Sequence, residues 1–344
     1  MDKITISSNP KELSARVIKL LPQKRVQDIL TKRFGLAGSE HTLEAIGKSY
    51  GITRERVRQI EEAALKNLRQ GDGQALVKPF VEQVRAHIQA HGGVSEQKRF
   101  FRSLADEKYH PHLSFLLMID GSMAYAAEDE KHHHRWAHGL DHLKKAEAVL
   151  HSFIKKIEHH GRPLHEGELH GLLEDSIKEE GGAPEKRSLE SHLSVSKLID
   201  KNPYGEYGLV SWPRISPRGV RDKAYLVLSR ATKPLHFREV ADHINRVGWT
   251  KKKAHPQTVH NELIKDPRFV LVGRGLYGLK EWGYEAGTVK DVLVSVLQQA
   301  QKPLTKDELM KRVLEKRVVK ENTILLNLQD KRKFKRVEDA YTLA

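Results

Sequence analysis

The sequence predicts a mainly α protein: a helix-turn-helix domain followed by a tandem array of about four small winged-helix (α+β) units. Three observations carry that expectation. Residues 42–69, TLEAIGKSYGITRERVRQIEEAALKNLR, keep helical apolar spacing on both sides of a Gly-Ile-Thr turn. A Pro-Leu pair recurs at Pro163, Pro234 and Pro303, roughly 70 residues apart each time, the spacing of an internal repeat. A Tyr-x-Leu tail recurs with it, at Tyr207, Tyr277 and Tyr341.

Composition narrows the partners. The chain has 344 residues, 38% hydrophobic and 31% charged, enough for several small cores. Its 60 Lys and Arg against 45 Asp and Glu leave a net charge of +15. Such a balance favours a polyanion, because Lys and Arg that neutralise phosphates release condensed counterions. There is no apolar run long enough to span a bilayer, and MDKITISSNP has no apolar signal core, so a membrane partner is not expected. Cys is absent, which excludes disulfides and Cys-ligated zinc and fits a reducing cytoplasm; with a DNA partner, a nucleoid-associated location is expected.

The elements follow in order. Residues 1–10 are polar and expected to fray. Leu13, Val17, Leu20 and Leu21 then repeat at helical spacing, and Val26, Ile29, Leu30 and Phe34 form a second apolar face closed by Gly35. Thr42 is positioned to cap the next helix, with Leu43, Ile46 and Tyr50 facing inward. Gly47 is small where a second helix must cross, and Gly51 permits the turn. Thr53 caps that second helix, whose Val57, Ile60, Ala64 and Leu68 make one apolar stripe. Arg54, Glu55, Arg58, Gln59 and Glu62 fall on the opposite face, toward the N-terminal end that a recognition helix inserts. Arg forks hold guanine, Gln pairs with adenine, and Glu accepts from cytosine. Arg56, Lys48, Lys66 and Arg69 flank that face, where phosphate contact is expected. A merely solvated face would explain any one Arg, but not the joint pattern of glycines, apolar stripe and Arg/Gln edge.

On these residues, with LPQKRVQDILTKRFGL before them, the stretch resembles region 4 of bacterial sigma-70-type factors. The resemblance implies a domain that binds the promoter −35 element and docks on the β flap of RNA polymerase. By match, Arg54, Glu55, Arg58 and Gln59 would contact bases and backbone. Sigma factors also carry an upstream region whose aromatic residues melt the −10 element. The residues ahead of the match contain no Trp, Tyr or Phe, so the chain is expected not to melt a promoter by itself.

Residues 74–344 read as the repeat. Each unit is expected to be three helices and two short strands, which is a winged helix. The expected domains are 1–73, 74–140 (the weakest copy), 141–215, 216–284 and 285–344. In the third unit the helices are Ala224–Arg230, His236–Val247 and Pro256–Ile264, and the strands Phe269–Val272 and Gly275–Leu279 meet at Gly273-Arg274. The segments AYLVLSRATKPLHFREVADHINRVG and TVHNELIKDPRFVLVGRGLYGLKEW of this unit resemble the HARE-type winged helix. That domain occurs in the delta subunit of bacterial RNA polymerase, in chromatin-associated proteins and beside some restriction enzymes. The delta subunit's acidic tail is replaced here by a further basic unit that includes KRKFKR. Lys251, Lys252, Lys253 and Arg274 are the expected wing or phosphate contacts, with a solvated loop as the alternative.

His132, His133, His134, His138 and His142 crowd one stretch, but nothing around them completes a known metal site, so no metal and no cofactor is expected. A solvated wing or linker is the simpler account. No nucleophile–base arrangement stands out, so neither enzymatic activity nor a small-molecule substrate is expected. The expected function is a sequence-specific DNA-binding transcription protein acting on duplex DNA with RNA polymerase core. The alternatives are a stand-alone regulator or nucleoid protein, and a DNA-binding accessory subunit of a restriction or repair system.

Overall fold

In a computed structural model, which describes residues 1–249 and 252–344, the chain forms two compact units. One comprises residues 1–201 with 205–210, the other 202–204 with 211–344. No helix among the described residues is long and apolar enough to cross a membrane.

The first unit opens with α1 (Pro10–Ile18), α2 (Lys24–Phe34), α3 (Leu43–Tyr50) and α4 (Arg54–Gln70). Asn9 caps α1 by accepting the Lys11 N–H at 3.0 Å. The helix stops at Ile18, so Leu20, expected on its apolar face, is 41% exposed, while Leu21 is buried. Residues 1–9 do not fray. The Ile4 N–H donates to the Ser103 carbonyl and the Ser7 N–H to Gln83 Oε1, both at 3.0 Å, and Met1, Ile4 and Ile6 pack on the core.

A first winged helix follows: α5 (Asp72–Gln89), β1 (Val94–Glu96), α6 (Gln97–Leu104), α7 (His110–Asp120), β2 (Ala124–Ala126) and β3 (Arg135–Ala137), with strand order β1-β3-β2. A second is built from α8 (Leu140–His160), α9 (Glu166–Glu179), α10 (Lys186–Val195), β4 (Ile199–Lys201) and β5 (Tyr207–Leu209). The other compact unit holds two more. One is α11 (Val220–Ala231), β6 (Leu235–His236), α12 (Phe237–Val247), α13 (Pro256–Lys265), β7 (Phe269–Gly273) and β8 (Leu276–Leu279). The last is α14 (Val289–Ala300), β9 (Leu304–Thr305), α15 (Lys306–Lys316), α16 (Glu321–Leu328), β10 (Phe334–Val337) and β11 (Ala340–Leu343). Their sheets run β6-β8-β7 and β10-β11-β9, the same topology as the first.

The structure adds one element that the helix-helix-helix-hairpin expectation lacked, a short strand between the first and second helices. It explains the repeat. Leu164, Leu235 and Leu304 of the Pro-Leu pairs are buried and lie antiparallel to Tyr207, Tyr277 and Tyr341 of the tails. The two sequence marks are register partners across one joint. The next residue starts the second helix, and a Glu three positions on reaches back to its N–H: Glu168 to His165 at 3.0 Å, Glu239 to His236 at 2.8 Å and Glu308 to Thr305 at 3.1 Å. Two residues before each Pro, Gly161, Thr232 and Gln301 end the first helix in the left-handed region, at φ 64, 54 and 52°.

The core does not divide at residue 73. One apolar cluster runs from Leu13, Val17, Leu21 and Leu30 through Ala64, Leu65 and Leu68 to Val77, Phe80, Phe115 and Trp136. The back of the four-helix segment is therefore sealed by α5 and α7, with Phe34 edge-on to Phe115 at 5.1 Å between ring centroids. Of the expected wing or linker, the structure has the wing: His132, His133 and His134 lie half-buried in the β2–β3 connection. It leads into the central strand β3, where Arg135 is 4% exposed and pairs with Asp129 at 3.1 Å and Glu147 at 2.5 Å. Trp136 beside it is fully buried and donates from Nε1 to Gln97 Oε1 at 3.1 Å.

Candidate nucleic-acid interface

The turn between α3 and α4 sets the interface. A Cβ on Gly47 would stand 2.7 Å from the Ile52 carbonyl oxygen, so only glycine lets the incoming chain cross there. Gly51 then turns at φ 63°. Thr42 Oγ1 accepts the Ala45 N–H at 3.2 Å, and Thr53 Oγ1 accepts the Arg56 N–H at 3.1 Å. Both caps fix where their helices begin. Beneath the turn, Ile29, Ile46 and Val57 form a small core of their own, flanked by the half-buried Leu43, Tyr50, Ile52 and Ile60. Tyr50 donates its phenol to Asp28, which also pairs with Lys32 at 2.7 Å. The Lys32 and Tyr50 hydrogen bonds hold the Asp28 carboxyl below its usual range and tie α2 to α3.

Seen from solvent, α4 presents Arg54, Glu55, Arg56, Arg58 and Gln59, all exposed, with Thr53 at its start. These side chains are paired along the helix. Arg58 holds Glu55 at 2.6 Å and also Glu62, while Arg56 Nη1 donates to Gln59 Oε1 at 3.2 Å. The Arg58 hydrogen bonds pull the Glu55 carboxyl below its ordinary range, and Glu55 raises Arg58. Exposed pairs of this kind contribute little to stability and are screened by salt. Lys48 is exposed and paired with Glu44 at 2.9 Å. Arg54 and Lys66 are exposed and have no ion pair with any described residue.

Arg69 is not a free flank. Its Nε and Nη2 both donate to the Met118 carbonyl, at 3.0 and 2.8 Å, which ties the end of α4 to the end of α7. Beside the expected phosphate contact, the structure thus gives Arg69 a clamping role, satisfying a carbonyl near a helix C-terminus. The signal was out of reach in sequence, since Met118 lies 49 residues away.

The second expected set sits in the third winged helix. Arg274 is exposed at the β7–β8 turn, and Lys252 and Lys253 are exposed ahead of α13; Lys251 lies outside the described residues. Exposed amides and a hydroxyl on α13 itself, Gln257, Asn261 and Thr258, were not singled out from sequence. Pro256 at the first helical position was the available pointer to where that helix starts. Among the described residues, no group of three or more His, Asp or Glu is arranged to hold a metal ion. His132 instead contacts Asp129 at 3.1 Å, His134 stacks on Tyr125, and the rings of His138 and His142 meet edge-on at 5.0 Å.

Comparison with known proteins bears on both regions. Residues 21–70 match the model for sigma-70, region 4. Residues 219–282 match the model for the HARE-HTH domain, a helix-turn-helix named for its occurrence in ASXL proteins and restriction endonucleases, among others. Over 60 residues the chain is 47% identical to an RNA polymerase sigma factor SigA from Bacillus sp.. That similarity spans 17% of this chain and 16% of the relative. Neither matched domain is of an enzymatic kind. The chain thus carries a sigma-70 region 4 segment at residues 21–70 and a HARE-HTH domain at 219–282, two helix-turn-helix families of DNA-binding proteins.

Proposed function

We propose that this protein reads a −35-type promoter element through α4 and acts with RNA polymerase, docking on its β flap. Arg54, Glu55, Arg58 and Gln59 contact bases and backbone, Thr53 sits at the helix entry, and Lys48, Arg56 and Lys66 contact phosphates. The observation that carries the proposal is the exposed Arg54–Gln59 edge at the capped N-terminal end of a helix in a sigma-70 region 4 segment. A net charge of +15 supports a duplex partner. Arg54→Ala or Gln59→Ala lowers affinity for the preferred duplex by about 1–3 kcal/mol and relaxes its base choice. An equal fall on all sequences overturns base reading.

One observation favours a second reading, a regulator that does not dock on polymerase. Among residues 21–70 no large apolar side chain is exposed, because α5 and α7 cover the apolar back. Recovery of the tagged full chain from native extract separates the two. Stoichiometric RNA polymerase supports docking. Sequence-selective duplex binding without polymerase supports the stand-alone regulator.

A further inference from the structure

The four winged helices differ in what their third helices show to solvent. α7 has no exposed residue, and Leu113, Phe115, Leu116, Leu117 and Ile119 are all buried. α10 lies along the first sheet. Glu190 pairs with Arg99 at 2.5 Å, Ser194 Oγ accepts the Glu96 N–H at 3.2 Å, and the Val195 carbonyl accepts the His133 N–H at 2.9 Å. α7 is spent on packing within the chain, whereas α10 packs along most of its length and keeps only Lys186 and Arg187 exposed at its start, Arg187 paired with Asp2 at 2.8 Å. α16, ENTILLNL, carries no cation, and beside Glu321 and Asn322 it exposes an apolar side chain, Leu326, at 65%.

α13 is different. Val259 and Leu263 are buried, while Gln257, Thr258, Asn261, Ile264 and Lys265 are exposed. Gln257, Asn261 and Ile264 stand at i, i+4 and i+7, one face of the helix. Gln257 Nε2 reaches Asn261 Oδ1 at 3.3 Å, so the two amides are already side by side. The one carboxylate in the helix, Glu262, is turned to Arg221 at 3.1 Å and to Lys265 at 3.8 Å, so no bare acid faces a phosphate. Exposed Lys253 precedes the helix, and Arg274 is exposed at the hairpin turn that forms the wing.

We propose that α13 is a second duplex-reading surface with a preference for A·T pairs, and that the fully packed α7 touches no DNA. Gln257 and Asn261 pair with adenine N6 and N7 in the major groove, and Ile264 packs on a thymine methyl. Lys253 and Arg274 hold phosphates to either side. The proposal rests on the reading of the chain as a duplex-binding protein, but it concerns a surface separate from α4.

Selection of the full-length chain on a random duplex pool, followed by footprinting, tests it. The native chain selects two elements, one of them A·T-rich. Gln257→Ala with Asn261→Ala weakens binding to the A·T-rich element by about tenfold or more and leaves the other intact; Arg54→Ala does the reverse. Both variants change exposed side chains only, and an unshifted thermal midpoint verifies the fold. If the double variant still selects both elements, α13 is not a reader, while the reading through α4 stands. If the double variant selects both elements but recovers less RNA polymerase, the face is a protein contact and the proposal is overturned. If the native chain selects no element, the proposal falls together with the DNA-reading function.

Discussion

Phe115→Ala tests whether the helix-turn-helix segment and the first winged helix are one body. Phe115 is fully buried in α7, edge-on to the half-buried Phe34 of α2 at 5.1 Å. Truncating a buried Phe to Ala costs about 3–5 kcal/mol through lost transfer energy and the cavity left behind. The ring pair itself contributes about 0.5–1.5 kcal/mol, which a Phe34→Ala, Phe115→Ala double-mutant cycle isolates. Two probes report on the two sides of the joint. Trp136 is fully buried in the shared core, and replacing Trp212, Trp249 and Trp282 by Phe leaves it as the one tryptophan, excited selectively near the red edge of the absorption band. Hydrogen exchange of the Ala64–Leu68 amides reports on α4. If α7 welds the two segments, Phe115→Ala destabilises both probes by the same amount. Exchange in α4 then rises roughly a hundredfold to a few thousandfold, at about 1.4 kcal/mol per factor of ten. Unchanged protection of Ala64–Leu68 beside a destabilised Trp136 refutes the single body, and so does a coupling energy near zero.

Three further outcomes follow from named contacts. Arg69→Ala removes two charge-assisted hydrogen bonds to the Met118 carbonyl and costs roughly 1.5–3 kcal/mol of stability in denaturant. It leaves the salt slope of duplex binding unchanged, whereas Lys66→Ala lowers it by about one; a lowered slope for Arg69→Ala returns that residue to the phosphates. Thr232→Gly relieves a β-branched residue at φ 54° where the second unit has Gly161, and raises the thermal midpoint of the third unit. The left-handed conformation costs about 1–2 kcal/mol, against about 0.5–1 kcal/mol of glycine entropy, so a lowered midpoint counts against the strain. Acid destabilises the first compact unit. Burial pushes the His87 imidazole from 6.5 down to about 4, with His91 beside it adding to the effect. Because the folded value lies below the unfolded one, the unfolded chain binds the extra proton. Stability is therefore full above pH 6.5 and is lost as pH falls toward 4. The Trp136 midpoint falls across that window, and a flat profile down to pH 4 removes His87 from the account.

Local chemistry made much of this protein legible in advance. Thr42 and Thr53 cap the helices they precede, Gly47 and Gly51 sit where the backbone has no room or needs a left-handed turn, and the Arg54–Gln59 edge faces solvent. Each of these depends on neighbours within a few residues. The repeat was legible as spacing, but its cause was not. Leu164, Leu235 and Leu304 meet Tyr207, Tyr277 and Tyr341 only once a sheet pairs them. The three Glu that reach back to the starts of the second helices were a missed local signal.

What sequence by itself determined are the helices, the hairpins and the capped, exposed face of α4, because helix periodicity, caps and turns are set by short-range sterics and hydrogen bonds. What only the tertiary structure decided is how those elements are used. Arg69 clamps the Met118 carbonyl, residues 1–9 became an anchored segment, and α7 was spent on packing while α13 stayed open. The reason is that amphipathic periodicity says which face of a helix is apolar but not which partner buries it. That choice is made by contacts between residues far apart in the chain.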